Sequence, residues 1–105
     1  MRDPYPNHNT ETNLIKIENL YKSIFTEVGD TSIQLSKQLV LIKHEDILNN
    51  DAASLELIEK NNVYGISYWD GYSLAEKIDE KDIKAALKTF KRLARKLAKN
   101  LQRFS

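Results

Sequence analysis

The chain has 105 residues, 41% of them hydrophobic and 30% charged, which suits one ordinary globular domain and excludes disordered, collagen-like and low-complexity classes. It contains no cysteine, so a disulfide framework, a thiolate zinc site, an iron–sulfur site and a cysteine nucleophile are excluded, and a cytoplasmic, reducing setting is expected. The net charge of +1 conceals an asymmetry: residues 1–82 hold 8 basic against 15 acidic side chains, whereas residues 83–105 hold 8 basic residues and no acid.

Residues 1–12 read as a flexible polar tail, with no charged-then-apolar leader, and residues 13–105 as a single domain. The longest aliphatic run, 39–42, falls far short of the roughly 20 apolar residues that span a bilayer. A first helix is predicted from about Thr10–Thr12 to Val28, because Leu14, Ile17, Tyr21, Ile24 and Val28 recur at spacings of 3 and 4, with Leu20 and Phe25 beside them. Gly29 supplies its stop, and Thr31 with Gln34 forms a capping-box pattern for the next element.

Residues 32–48 fit two patterns. As a helix they place Leu35, Leu39 and Ile42 on one stripe and Ile33, Val40 and Ile47 on a second; as strands, Ile33 and Leu35 alternate and 39–42 is a short buried run. The lack of an internal turn signal favours the helix, paired antiparallel with the first. Asn49, Asn50 and Asp51 then read as a loop before a short helix carrying Leu55, Leu57 and Ile58, which Asn61-Asn62 ends.

Two runs rich in aromatic and β-branched residues, 63–69 and 72–78, flank Asp70-Gly71, the signature of a two-residue hairpin turn. That turn sets Trp69 opposite Tyr72 and Val63 opposite Ile78. Trp69, Tyr72, Leu74 and Ile78 are then expected to face inward, and Tyr64, Ile66, Tyr68 and Lys77 outward.

The last helix is capped by Asp79 and carries Ile83, Leu87, Phe90, Ala94, Leu97, Leu101 and Phe104 at alternating steps of 4 and 3, with Ala86, Leu93 and Ala98 broadening the stripe. Its polar side presents Lys84, Lys88, Lys91, Arg92, Arg95, Lys96, Lys99 and Arg103, many at i, i+3 or i, i+4 spacing. Like charges so placed repel, and their steps suit the loose tracking of a phosphate backbone. The plainer reading of the ridge is a solvated face that keeps an amphipathic helix in solution.

Catalytic signals are weak. His8 and His44 make no pair at ligand spacing, Glu45 and Asp46 are adjacent and do not converge, and Gly29, Gly65 and Gly71 are too isolated for a phosphate-cradling loop. No metal and no cofactor is expected.

The expected fold is α+β and mainly helical: antiparallel helices, one β-hairpin and a long basic amphipathic C-terminal helix. The alternative is an all-α four-helix bundle with residues 63–78 irregular. The expected function is a small non-enzymatic binding or regulatory protein that engages nucleic acid through the eight basic residues of the last helix, with Tyr64, Tyr68 and Lys77 as auxiliary contacts. The competing function is a protein–protein interaction module, such as an inhibitor, antitoxin, immunity factor or adaptor, that uses the acidic N-terminal part. An antiparallel homodimer through the last helix is a further expectation, since its broad stripe offers more apolar surface than one neighbour covers.

Overall fold

The computed structural model describes residues 10–45 and 52–103, with the side chains of 10–12 and 103 left aside. The expected tail up to residue 9, the loop at 49–51, Ile47 and Phe104 lie outside the described residues. The elements run α1 (Thr10–Phe25), β1 (Thr31–Leu35), β2 (Leu39–His44), β3 (Ser54–Lys60), β4 (Val63–Trp69), β5 (Leu74–Glu80) and α2 (Ile83–Arg103). The strands form one antiparallel sheet in chain order, β1-β2-β3-β4-β5, and both helices lie against the same face of it. The fold is α+β, but neither mainly helical nor a four-helix bundle.

The helix expected over 32–48 is instead the β1–β2 hairpin. Val40 and Ile42 point into the core, Leu39 and Leu41 to the other face, and Ile33 pairs with Ile42 and Leu35 with Val40. Its turn at residues 36–38 contains no Gly, Pro, Asn or Asp. Ser36 closes it instead: its hydroxyl donates to the Leu39 carbonyl (3.0 Å) and accepts from the Leu39 N–H (3.2 Å). Thr31 and Gln34, expected as a capping box, lie within β1.

The short helix expected around Leu55 to Ile58 is β3, where Leu55 and Leu57 alternate inward against Glu56 and Ile58. Asn61 and Asn62, read as a helix stop, are the two central residues of a hairpin turn, with φ of 54° and 63°. Positive φ at both positions is the type I′ geometry that matches strand twist, and asparagine tolerates it better than most side chains.

The hairpin expected at Asp70-Gly71 exists, but with a four-residue loop and a different register. Ile66 pairs with Ile78, Tyr68 with Glu76 and Trp69 with Leu74, with an irregularity between Tyr68 and Trp69. Gly71 alone has positive φ there (102°), so the two-residue turn, which needs it twice, does not form. The Asp70 carboxylate instead accepts the N–H groups of Tyr72 (2.8 Å) and Ser73 (2.9 Å), which hold its carboxyl below the usual carboxylate range. Changing the register by an odd number reverses the faces of β4, so Ile66 and Tyr68 point into the core and Trp69 away from it.

Helix α1 stops at Phe25, and the left-handed residue after it is Asp30 (φ 59°) rather than Gly29. Ile17 and Phe25 are buried on its apolar stripe, Val28, expected in its last turn, is buried beyond its end, Tyr21 stacks on Phe25 with ring centroids 5.2 Å apart, and the Tyr21 hydroxyl reaches Thr31 Oγ1 at 2.8 Å. Helix α2 packs over β3, β4 and β5 and against α1. Ala86, Phe90, Leu93, Ala94 and Leu97 are fully buried.

The cap of α2 is Asp82, not Asp79, which lies within β5. The Asp82 carboxylate accepts the Ala85 N–H at 3.2 Å. Replacing Asp82 by Ala removes the acceptor for one unpaired helix donor and lowers stability by about 1 kcal/mol. Urea unfolding registers this as a lower midpoint at unchanged slope.

Candidate nucleic-acid interface

Burying Ala86, Phe90, Leu93, Ala94, Leu97 and Ala98 forces the opposite side of α2 into water, and every charge on the helix is positive. Lys84, Lys88, Lys91, Arg92, Arg95, Lys96 and Lys99 are all exposed. Arg103 occupies the last helical position, and its side chain lies outside the described residues. The seven exposed cations form a continuous band along a 21-residue helix about 30 Å long.

The band divides into two rows. On the flank beside β5, Glu76 accepts from Arg92 Nη2 at 3.1 Å and from Lys96 Nζ at 2.8 Å. These two donors hold the Glu76 carboxyl below its ordinary range. Because the folded-state value is depressed, the attraction is fully present at neutral pH and is lost as pH falls through that lowered value. Along the same flank Thr89 Oγ1 donates to Glu80 at 2.9 Å. The outward row comprises Lys84, Lys88, Lys91, Arg95 and Lys99, which make no ion pair with any described residue.

The expected auxiliary contacts do not join this band. Tyr68 is 1% exposed: its ring lies under α2, its hydroxyl accepts from the Asn100 side-chain amide, and Lys96 Nζ sits 5.8 Å from its ring centre. Burial raises its pKa. Tyr64 also faces the helix side and packs against the core, and burial, followed by the neighbouring Glu59 carboxylate, raises its pKa as well. Lys77 pairs with Ser67 on the opposite face of the sheet. The outward display expected of Tyr64 and Tyr68 followed from the wrong hairpin register.

Among the described residues, no helix covers that opposite face. It displays Leu39, Leu41, Ile58, Val63, Trp69 and Leu74 among Ser, Lys, Glu and Asp side chains. At its end Tyr72, on the loop braced by Asp70, is 92% exposed. The register expected from Asp70-Gly71 turns Trp69 and Tyr72 inward and so hides this aromatic tip.

Of the apolar stripe through which a homodimer was expected, Ala86, Phe90, Leu93, Ala94, Leu97 and Ala98 are buried within the chain, and Ile83, Leu87 and Leu101 pack partly buried against the same core. Among the described residues no three His, Cys, Asp or Glu side chains converge as for a metal ion, and no helix is long and apolar enough to cross a membrane. No family model matches the chain, and neither a curated protein nor a solved structure is similar enough to it for comparison.

Proposed function

We propose that this is a non-enzymatic nucleic-acid-binding protein that tracks the phosphate backbone through the outward face of α2, in a cytoplasmic setting. The observation that carries the reading is the row Lys84, Lys88, Lys91, Arg95 and Lys99, exposed and unpaired among the described residues on a helix without a single acid. An acid-free face avoids repelling phosphates, and its i, i+3 and i, i+4 repulsions, each a few tenths of a kcal/mol, are relieved when phosphates arrive. No exposed aromatic side chain interrupts the described part of this face, so contact is electrostatic and tolerant of sequence, without the stacking that single-strand binders add.

The test is titration of a labelled 20-base-pair duplex and of the matching single strand between 50 and 200 mM salt. Five neutralised phosphates give a log–log slope of about −4.5 on the duplex, a loss of affinity of roughly 10² to 10³ across that range. Absence of binding to either probe at 50 mM salt sinks the proposal.

Glu76 tempers this site by occupying Arg92 and Lys96. Glu76→Gln releases both cations to the ligand, so affinity at 100 mM salt rises and the salt slope steepens by up to about 1.8. Equal slopes for the two proteins would show that Arg92 and Lys96 take no part.

A second reading, a protein-interaction module, is favoured by the bare sheet face with Trp69, Leu74 (52% exposed) and Tyr72 at its end. Tyrosine and tryptophan anchors on a braced loop suit a protein contact. A stoichiometric protein partner that survives nuclease treatment and is lost on Tyr72→Ala supports this reading over the first.

A further inference from the structure

β5 is the outer strand of the sheet, hydrogen-bonded to β4 on one side and to no described strand on the other. Half of its backbone N–H and C=O groups therefore point outward, a template for another strand. Charged side chains commonly blunt such an edge, and β5 carries Glu76, Lys77, Asp79 and Glu80. Their order, however, is complementary to itself.

Two copies joined antiparallel about a two-fold axis keep like faces together only when one residue sits opposite its own counterpart. Centring on Glu76, Lys77, Asp79 or Glu80 sets like charges face to face, which is destabilising. Centring on Ala75 lays the strand against the Asp70–Ser73 loop rather than against extended backbone. Centring on Ile78 places isoleucine against isoleucine on the helix side. On the bare face it places Lys77 opposite Asp79 of the second copy, and Asp79 opposite Lys77. Farther out, Glu76 meets Glu80 of the second copy, but Glu76 already holds Arg92 and Lys96, so the incoming carboxylate approaches a group of net charge +1.

We propose that β5 is a self-pairing edge through which two copies of this chain join antiparallel, in the register centred on Ile78, into one ten-stranded sheet. Because α2 lies over the β3–β5 side of the sheet and α1 over β1, this union sets the two α2 helices side by side on one face. The pairing stands whatever α2 binds. If α2 does bind a polyanion, two linked basic faces strengthen the grip on an extended one.

Sedimentation equilibrium at tens of micromolar decides the matter. The wild type is expected at twice the 12.2 kDa chain mass. Asp79→Lys and, separately, Lys77→Asp each set like charges opposite one another and raise the dissociation constant at least tenfold, with far-UV circular dichroism unchanged. The double variant Lys77→Asp/Asp79→Lys swaps the pair and restores the dimer. A wild type that stays at the chain mass overturns the proposal. So do single variants that dimerise like the wild type, or a double variant that remains as weak as the singles.

Discussion

The variant Lys88→Gln/Lys91→Gln/Arg95→Gln/Lys99→Gln binds a DNA or RNA duplex with a salt slope shallower by about 3.6 and, at 50 mM salt, an affinity lower by two orders of magnitude or more. All four side chains are exposed, and none makes an ion pair with a described residue, so no structural contact is removed with the charge. Lys88 lies at i, i+3 from Lys91, and Arg95 at i, i+4 from both Lys91 and Lys99, and each pairing repels in the free protein. The variant is therefore as stable as the wild type or slightly more so. Thermal melting and duplex titration on the same samples check both halves. If binding falls together with the melting temperature, the row is structural; if binding persists in a fully folded variant, the ligand surface lies elsewhere.

The two helices were legible because each has a single apolar stripe and an unbroken polar side. The sheet was legible only in part. A strand is recognised by alternation, and β2 does not alternate: Leu39 and Leu41 sit on the bare face while Val40 and Ile42 fill the core, so 39–42 reads as one apolar run. In β3 the alternation of Leu55 and Leu57 with Glu56 was present, but Ile58 on the other parity blurred it into a helical stripe. The turns decided the rest. Ser36-Lys37-Gln38 gives no composition signal, whereas Asn61-Asn62 between apolar runs suits a helix stop and a chain reversal alike.

The candidate site divided in the same way. The basic band depended only on the helical period, which the sequence states openly. Its clamp by Glu76 joins residues 16 and 20 positions apart, a contact set by how α2 crosses β5 rather than by any local pattern. Tyr68 differs from expectation through the parity of β4. Its partner Asn100 is 32 positions away, and Tyr68 faces it because the irregularity between Tyr68 and Trp69 shifts the register by one residue, which Asp-Gly alone does not signal.

Phe90→Ala is the substitution expected to cost the fold most, about 3 to 5 kcal/mol, the range for removing a large buried aromatic side chain. Phe90 is 0% exposed and sits midway along the inner face of α2, in the core shared by the sheet and both helices. Three of the neighbouring buried positions on that helix, Ala86, Ala94 and Ala98, are alanines. They let α2 approach the sheet closely, and they have no side-chain length with which to fill the space left by the ring. The cavity therefore stays open, and the loss lies toward the upper end of the range. For a domain near 100 residues, whose whole stability is commonly 5 to 15 kcal/mol, this lowers the melting temperature by roughly 15 to 30 °C. Leu74→Ala, at a half-exposed position on the bare face, shifts it by only a degree or two. Scanning calorimetry of the two variants beside the wild type checks the contrast. Similar losses for both would mean that the bare face is covered in solution and contributes to stability as much as the core does.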